Sequence, residues 1–288
     1  MQMSQVVADL SSRALVLALE TNMFEFYMAW GRSPRGELHQ GPDLIQVITG
    51  LPVALLNGVF DAQLTVQTAD AVIEAAVARA APHNVPMNWF VGPSSRPPEL
   101  GTYLERHGFA PRSGLPGMAA DLMALKTDRS PPTDLVIERV NDVEMLATWA
   151  RTVWTGTGFP EEGREAFVEL VSSVGIVPDT SRLRYLGYRR GAPVATSAMI
   201  LQDGVAGIYA VATLPEARRQ GLGTALTLAP LRDALDMGYR VGTLQASSMG
   251  CSVYRRLGFR QVCEFGVYAW AGDARPDQDE QTVNRGSR

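Results

Sequence analysis

Residues 217–226 read ARRQGLGTAL, and this stretch decides how the second half of the 288-residue chain is interpreted. Two arginines stand directly before Gly221 and Gly223, and an apolar pattern with helical spacing follows at once. Glycine lets a backbone adopt positive φ and approach a ligand closely, while the first turn of a helix presents unpaired N–H groups. The stretch therefore predicts a site for an anion, such as a diphosphate, at the start of a helix.

Two common phosphate loops do not fit this stretch. A dinucleotide-binding fingerprint needs a third glycine where Leu226 stands, and no Gly-Lys-Ser/Thr ends the run. A glycine pair before a helix is equally compatible with a plain tight turn between a strand and a helix. The surrounding sequence has to decide between the two interpretations.

Composition limits the classes of function. The hydrophobic fraction of 46% supplies enough apolar material for two cores, and the net charge of -4 argues against a broad nucleic-acid surface. Cys251 and Cys263 are too few for a disulfide framework, which favours a reducing compartment. No run of eighteen apolar residues exists, and no His/Cys cluster suggests a metal. We therefore expect a cytoplasmic protein without a membrane or nucleic-acid partner.

Proline marks the clearest division of the chain. Residues 125–134, LKTDRSPPTD, are polar and contain two consecutive prolines, which disfavour helix and deny backbone donors. We expect a linker there, between domains at 1–124 and 135–270. The polar residues 271–288 are expected to form a flexible tail.

The pattern of the second half predicts the order β-α-α-β-β-β-α-β-α-β-β, which implies a mixed sheet with helices on both faces. Asn141 is expected to cap a helix that ends at Trp154, and the last two strands are expected near 260–263 and 265–270. The first half shows a similar order and suggests a duplicated fold. Its predicted elements are a helix at 4–29, strands at 44–49 and 53–60, a helix at 69–81, a strand at 87–91 and strand-like residues at 109–124.

Residues 208–231, IYAVATLPEARRQGLGTALTLAPL, resemble the cofactor segment of the GCN5-related N-acetyltransferases, in which a strand leads to Arg/Gln-x-x-Gly-x-Gly/Ala. The resemblance implies an acyl-CoA N-acyltransferase fold, an α/β mixed sheet, with two such domains in tandem. It implies that backbone amides cradle the pyrophosphate of acetyl-CoA while the preceding strand contacts its pantetheine. The cofactor-binding residues so implied are Val211, Thr213, Arg218, Arg219, Gln220, Gly221, Leu222, Gly223, Thr224 and Ser247.

A second motif follows at the spacing of the same family. Residues 247–259, SSMGCSVYRRLGF, resemble Asn-x-x-Ala-x-x-x-Tyr-x-x-x-Gly-Phe, with Ser247 for the asparagine and Gly250 for the alanine. Tyr254 occupies the tyrosine position. Arg255 and Arg256 lie where they can reach the 3′-phosphate of the cofactor, although exposed helix positions also explain them.

The implied reaction is the attack of an amine, expected to belong to a small molecule, on an acetyl thioester. A phenol is protonated at neutral pH, so Tyr254 is the expected acid for the departing thiolate; packing of its ring is the alternative. The remaining candidates for a base are Glu161, Glu162 and Asp203, or a water chain held by the backbone. Each carboxylate also fits an exposed surface charge, so the sequence assigns no base.

The first half is expected not to catalyse. Its YLERHGF motif, residues 103–109, carries Leu104 where the second half has Tyr254, and no glycine occurs between Gly58 and Gly92. Without those glycines the phosphate cradle is missing. The sequence thus predicts an N-acetyltransferase with a degenerate first domain, and a non-catalytic acyl-CoA-binding scaffold is the alternative.

Overall fold

The structure, a computed structural model, describes residues 13–126, 132–176 and 181–272. The start of the predicted first helix, the centre of the predicted linker and nearly all of the predicted tail lie outside the described residues. No helix within these ranges is long and apolar enough to cross a membrane.

The strands form one continuous sheet in the order β1-β2-β3-β4-β11-β5-β10-β9-β8-β7-β6. The elements of the first half are α1 (Arg13–Gly31), β1 (Glu37–Gln40), β2 (Ile45–Ile48), β3 (Gly58–Phe60), α2 (Ala69–Ala80), β4 (Met87–Val91), α3 (Leu100–Arg106) and β5 (Ala110–Asp121). Those of the second half are β6 (Leu135–Arg139), α4 (Val143–Thr157), α5 (Arg164–Val174), β7 (Arg182–Arg189), β8 (Ala192–Gln202), β9 (Val205–Thr213), α6 (Leu222–Asp236), β10 (Val241–Gln245), α7 (Ser248–Leu257) and β11 (Arg260–Trp270).

The two halves exchange their last strands. Strand β5 of the first half pairs antiparallel with β10 of the second half, from Asp121 opposite Val241 to Gly117 opposite Gln245. Strand β11 of the second half pairs antiparallel with β4 of the first half. Strands β5 and β11 also pair with each other, so both lie at the centre of the sheet.

Alternation of side chains along the strands gives the sheet two apolar faces. Leu186, Ala198 and Tyr209 pack with α1, α4 and α5 on one face. Their strand neighbours Tyr185 and Met199 pack with α6 and α7 on the other. Helices therefore cover both faces, as the sequence predicts.

Four boundaries differ from the predictions. The helix α4 is capped by Asp142, whose Oδ1 accepts from the Met145 amide at 2.8 Å, and not by Asn141. The last two predicted strands form the single strand β11, because the residues between them, 263–265, also pair with β5. The predicted strand 53–60 is a 3₁₀ helix (Ala54–Leu56) followed by β3, and β1 was not predicted.

Candidate active site

A wedge opens between two parallel strands of the second half. Strands β9 and β10 pair only from Ala206 opposite Gly242 to Ile208 opposite Leu244, although β9 continues to Thr213. The register of β9 on β8 shifts at this point, and Ala210 has a φ of 49°. This bulge bends β9 away from β10, so from residue 209 onward no strand of the described residues pairs with that edge of β9.

The loop after β9 is held by the side chain of Arg218. Its Nε donates to the Thr213 carbonyl at 3.2 Å, and its Nη2 donates to the Gly156 carbonyl at 3.0 Å. The Arg218 amide donates to the Pro215 carbonyl within a turn. Arg218 thus connects the end of β9 to the end of α4, and the free amides of the loop begin at Arg219.

The next residues form a concave row of backbone donors. Arg219 and Gly221 have φ values of 62° and 81°, which turn successive amides to one side before α6 begins. In α6 the Ala225 amide is the first to bond back, to the Gly221 carbonyl. Within the described part of the chain, the amides of residues 219–224 have no acceptor. The predicted anion cradle therefore has the geometry and the free donors that it needs.

The predicted strand contacts lie next to this cradle. A Cβ on Gly223 would stand 3.9 Å from Thr213 Oγ1 and 4.0 Å from Val211 Cγ1. A side chain on Gly223 would therefore touch the end of β9, so the loop lies beside the strand and the two predicted parts of the cofactor site are neighbours. Gln220 points elsewhere, since its amide oxygen accepts from Arg189.

Helix α7 forms the other wall of the wedge. The Ser247 hydroxyl caps it by accepting from the Gly250 amide at 3.2 Å. The Tyr254 ring lies against Gly250, where an added Cβ would stand 2.8 Å from Tyr254 Cε2. This contact explains why glycine replaces the alanine of the family motif. Tyr254 is half-buried between α6 and α7.

The phenol of Tyr254 is a protonated donor at neutral pH. Burial raises the pKa of Tyr254 to about 12, and its hydrogen bond with the Thr227 side chain acts in the opposite direction. The Thr227 hydroxyl itself donates to the Gly223 carbonyl at 2.8 Å in the first turns of α6. A chain of polar groups therefore connects the phenol to the loop.

Of the three carboxylates considered as bases, Asp203 lies far from the open end of the wedge, and the two glutamates are exposed. Asp203 lies in the turn before β9, roughly 25 Å from Thr213 at the rise of a nine-residue strand. Glu161 is exposed and pairs with Arg164 at 2.6 Å. Glu162 is exposed as well. No group of three or more His, Cys, Asp or Glu side chains in the described residues is arranged to hold a metal ion.

The corresponding wedge of the first half is filled by its own chain. The segment after β4 turns back to the segment after β3, where the Arg96 amide donates to the Ala62 carbonyl at 2.7 Å and the Leu64 amide to the Arg96 carbonyl at 3.1 Å. Leu104, the counterpart of Tyr254, is fully buried in apolar surroundings. No glycine precedes α2 at the position of the cradle.

Helix α1 of the first half contributes groups that the sequence did not indicate. Asn22 is fully buried and accepts from the Tyr209 hydroxyl at 2.7 Å, next to the bulge in β9. The Phe26 ring stacks on Tyr209 with centroids 4.2 Å apart. An amphipathic pattern indicates that one face of a helix is buried, but it does not identify the strand that receives it.

Comparisons with known proteins agree with this architecture. Residues 185–269 match the family model described as FR47-like protein. The fold is similar to a GCN5-related N-acetyltransferase from Kribbella flavida, with 21% identity, a TM-score of 0.66, and coverage of 89% of this chain and 96% of that chain. No curated protein gives a significant sequence match.

Two further solved structures cover most of the chain. One is a tandem GNAT protein from the clavulanic acid biosynthesis pathway, with 15% identity, a TM-score of 0.56, and coverage of 91% of this chain and 95% of that chain. The other is a GCN5-related N-acetyltransferase from Sphaerobacter thermophilus, with 16% identity, a TM-score of 0.57, and 90% coverage of both chains. The resemblance to this family and the predicted acyl-CoA N-acyltransferase fold are thereby confirmed; at these identities the likeness concerns the fold.

Proposed function

We propose that this chain is an acetyl-CoA-dependent N-acetyltransferase that transfers an acetyl group to an amine of a small molecule. The observation that carries the proposal is the wedge between β9 and β10. It opens beside the backbone amides of residues 219–224, which have no acceptor among the described residues. Such a row suits a diphosphate, and the unpaired edge of β9 suits an extended arm that contains amides. Acetyl-CoA has both groups in this order, so the residues present fit it.

The proposed binding roles follow from the positions of the residues. The amides from Arg219 to Thr224 bind the diphosphate, and Arg218 fixes the loop that presents them. The backbone of Val211 and Thr213 orients the arm along β9, and Ser247 faces it from the start of α7. When bound, acetyl-CoA supplies an activated acyl group to the amine.

Tyr254 is the proposed general acid. Its pKa of about 12 keeps a proton on Oη at neutral pH, and its place beside the wedge lets it donate that proton to the departing thiolate. We assign no general base to this chain.

Residues 135–270 are proposed to be catalytic. Residues 1–124 are proposed to support them without catalysis, because the wedge of the first half is closed. We further propose a cytoplasmic location and no nucleic-acid partner, in line with the acidic composition.

Two measurements test this function. The first is calorimetric titration of the protein with acetyl-CoA, and the second is thiol release from acetyl-CoA across a panel of small amines. We expect Tyr254→Phe to lower kcat about 100-fold with unchanged cofactor affinity, since general acids contribute on this scale. Gly221→Val should weaken cofactor binding about tenfold, because valine disfavours a φ of 81°.

Tyr103→Phe in the first half is the matched control, since it removes a phenol from α3 and should leave both measurements unchanged. Cofactor binding without thiol release for every amine would support the scaffold alternative. Equal rates for Tyr254→Phe and the unaltered protein would remove the proposed acid.

A further inference from the structure

A small cavity lies where helix α1 of the first half packs on the strands of the second half. Phe26 and Trp30 of α1, Trp149 of α4, and Arg182 and Arg184 of β7 line it, together with apolar residues of α1 and β8. Its volume is about 10 Å³, the space that one water molecule needs. The wall contains neither the glycine loop nor Tyr254, so this cavity is separate from the proposed cofactor site.

The wall of the cavity contains a buried charge. Only 8% of Arg184 is exposed, and its guanidinium carbon lies 5.5 Å from the centre of the Trp149 ring. Its Nη1 donates to the Gly175 carbonyl at 3.2 Å. Burial, and after it the neighbouring Arg182, lower the pKa of Arg184 to about 10, which leaves the guanidinium charged at neutral pH.

The charge of Arg184 has no counter-charge from the part of the chain that the structure describes, since no carboxylate there forms an ion pair with it. Glu25, which pairs with Arg182 at 3.1 Å, also pairs with Arg32 at 2.7 Å, so its single charge is shared by two other arginines. The Gly175 carbonyl that Arg184 contacts carries no net charge. Because an uncompensated buried charge is costly, an anion in the cavity would stabilise the fold.

The size and the wall of the cavity limit the kind of anion. Carboxylate, phosphate and sulfate groups contain several heavy atoms and need more space than one water molecule. A halide ion is a single atom close in size to water, and its one negative charge matches one guanidinium. Phe26, Trp30 and Trp149 offer an apolar surface on the other sides, where an ion without directional bonding needs no further donors.

We infer that this cavity binds a chloride ion and that the guanidinium of Arg184 holds it. The ion accepts charge-assisted hydrogen bonds from the guanidinium and neutralises its charge. Phe26 both lines the cavity and stacks on Tyr209, so the bound ion stabilises the packing of α1 on the bulged strand β9. The inference uses no residue of the proposed cofactor site and is independent of the proposed function.

Thermal unfolding of the full chain in chloride-free buffer, with added salts, tests this inference. Sodium chloride replaces sodium gluconate at a constant ionic strength of about 150 mM, so that general screening does not change. Chloride, and likewise bromide, should raise the melting temperature by about 2 to 4 °C along a saturating curve, the shift expected when a ligand exceeds its dissociation constant about tenfold. Sulfate should give no saturating curve, because it does not fit the cavity. A chloride response that is absent or does not saturate would overturn the inference.

Two variants locate the response. Arg184→Met keeps an apolar stem of similar length without the charge, so its melting temperature should be the same in chloride and in gluconate. The matched control Arg151→Met removes an exposed arginine of α4, which pairs with Glu165, and should keep the full response. A response that persists in Arg184→Met, or that disappears in Arg151→Met, would contradict the assignment.

Crystals of the unaltered protein grown in sodium bromide give a measurement that does not depend on the folding of any variant. Bromide scatters anomalously, and we expect an anomalous peak in the cavity, in contact with the Arg184 guanidinium. Bromide found only at exposed arginines, with water or nothing beside Arg184, would overturn the inference. Neither measurement contains acetyl-CoA, so a failure here leaves the proposed function untouched.

Discussion

Replacing Asn22 by alanine should destabilise the protein strongly, although Asn22 lies in the half that has no open wedge. The side chain is fully buried between α1 and the second-half strands. Its Nδ2 donates to the Ile200 carbonyl of β8 at 3.0 Å, and its Oδ1 accepts from the Tyr209 hydroxyl at 2.7 Å.

The magnitude follows from the two groups left behind. A buried polar group that loses its partner costs about 1 to 3 kcal/mol, and Asn22→Ala leaves both the Tyr209 hydroxyl and the Ile200 carbonyl without the amide. The carbonyl lies in a strand with other partners, so we expect a total loss of about 2 to 4 kcal/mol in the free energy of unfolding. Tyr209→Phe alone should cost about 1 to 2 kcal/mol, since the Phe26 stacking on the ring is retained.

Urea unfolding of the two single variants and the double variant measures these costs as a thermodynamic cycle. The double variant should be more stable than the sum of the single losses predicts, by about 1 kcal/mol or more, because it leaves no hydroxyl unpaired. Additive losses, or a loss below about 1 kcal/mol for Asn22→Ala, would refute the view that this bond fixes α1 to the bulged strand.

Two further substitutions test buried contacts. Glu20→Gln should stabilise the protein at pH 7 to 8. Burial raises the pKa of Glu20, and its Oε2 accepts no hydrogen bond from the residues that the structure describes. The carboxyl stabilises the fold below its unfolded pKa, and this contribution is lost as pH rises through the folded pKa. Melting temperatures from pH 4 to 8 check this, and a pH-independent difference between the two proteins would contradict it. Gly250→Ala should lower kcat with little effect on cofactor affinity. The alanine Cβ would stand 2.8 Å from the Tyr254 ring and would displace the phenol. An unchanged kcat in the thiol-release assay would count against this prediction.

Sequence reasoning succeeded where structure is set locally. The start of α6 at Leu222 follows from the glycine loop, and the range Met87–Val91 of β4 follows from its apolar run between turn residues. It failed where two neighbouring residues have similar chemistry. Asn141 and Asp142 can both cap a helix, and only the backbone course selects Asp142.

In the candidate site, too, the features set by a short local sequence could be predicted and the others could not. The glycine loop before α6 and the position of Tyr254 on α7 could be predicted, since each depends on a short motif. The bulge at Ala210 could not, because alanine has no preference for a φ of 49° and the strain is compensated by pairing with β8. Gly207 is similar: a Cβ there would stand 1.9 Å from Asn22 Oδ1, a constraint that arises from a residue far away in the sequence.

The exchanged strands give a physical reason for the closed first half to remain part of the protein. Strand β10 lines the wedge, and its neighbour opposite β9 is β5, which belongs to the first half. Strand β11, which follows the Tyr254 helix, likewise has β4 of the first half as a neighbour. Without the first half, β10 would become an open edge at the wedge, and unpaired edges of this kind are both mobile and prone to aggregation. The pairing that supports β10 and the strand after the Tyr254 helix therefore depends on the first half, although that half has no glycine loop of its own.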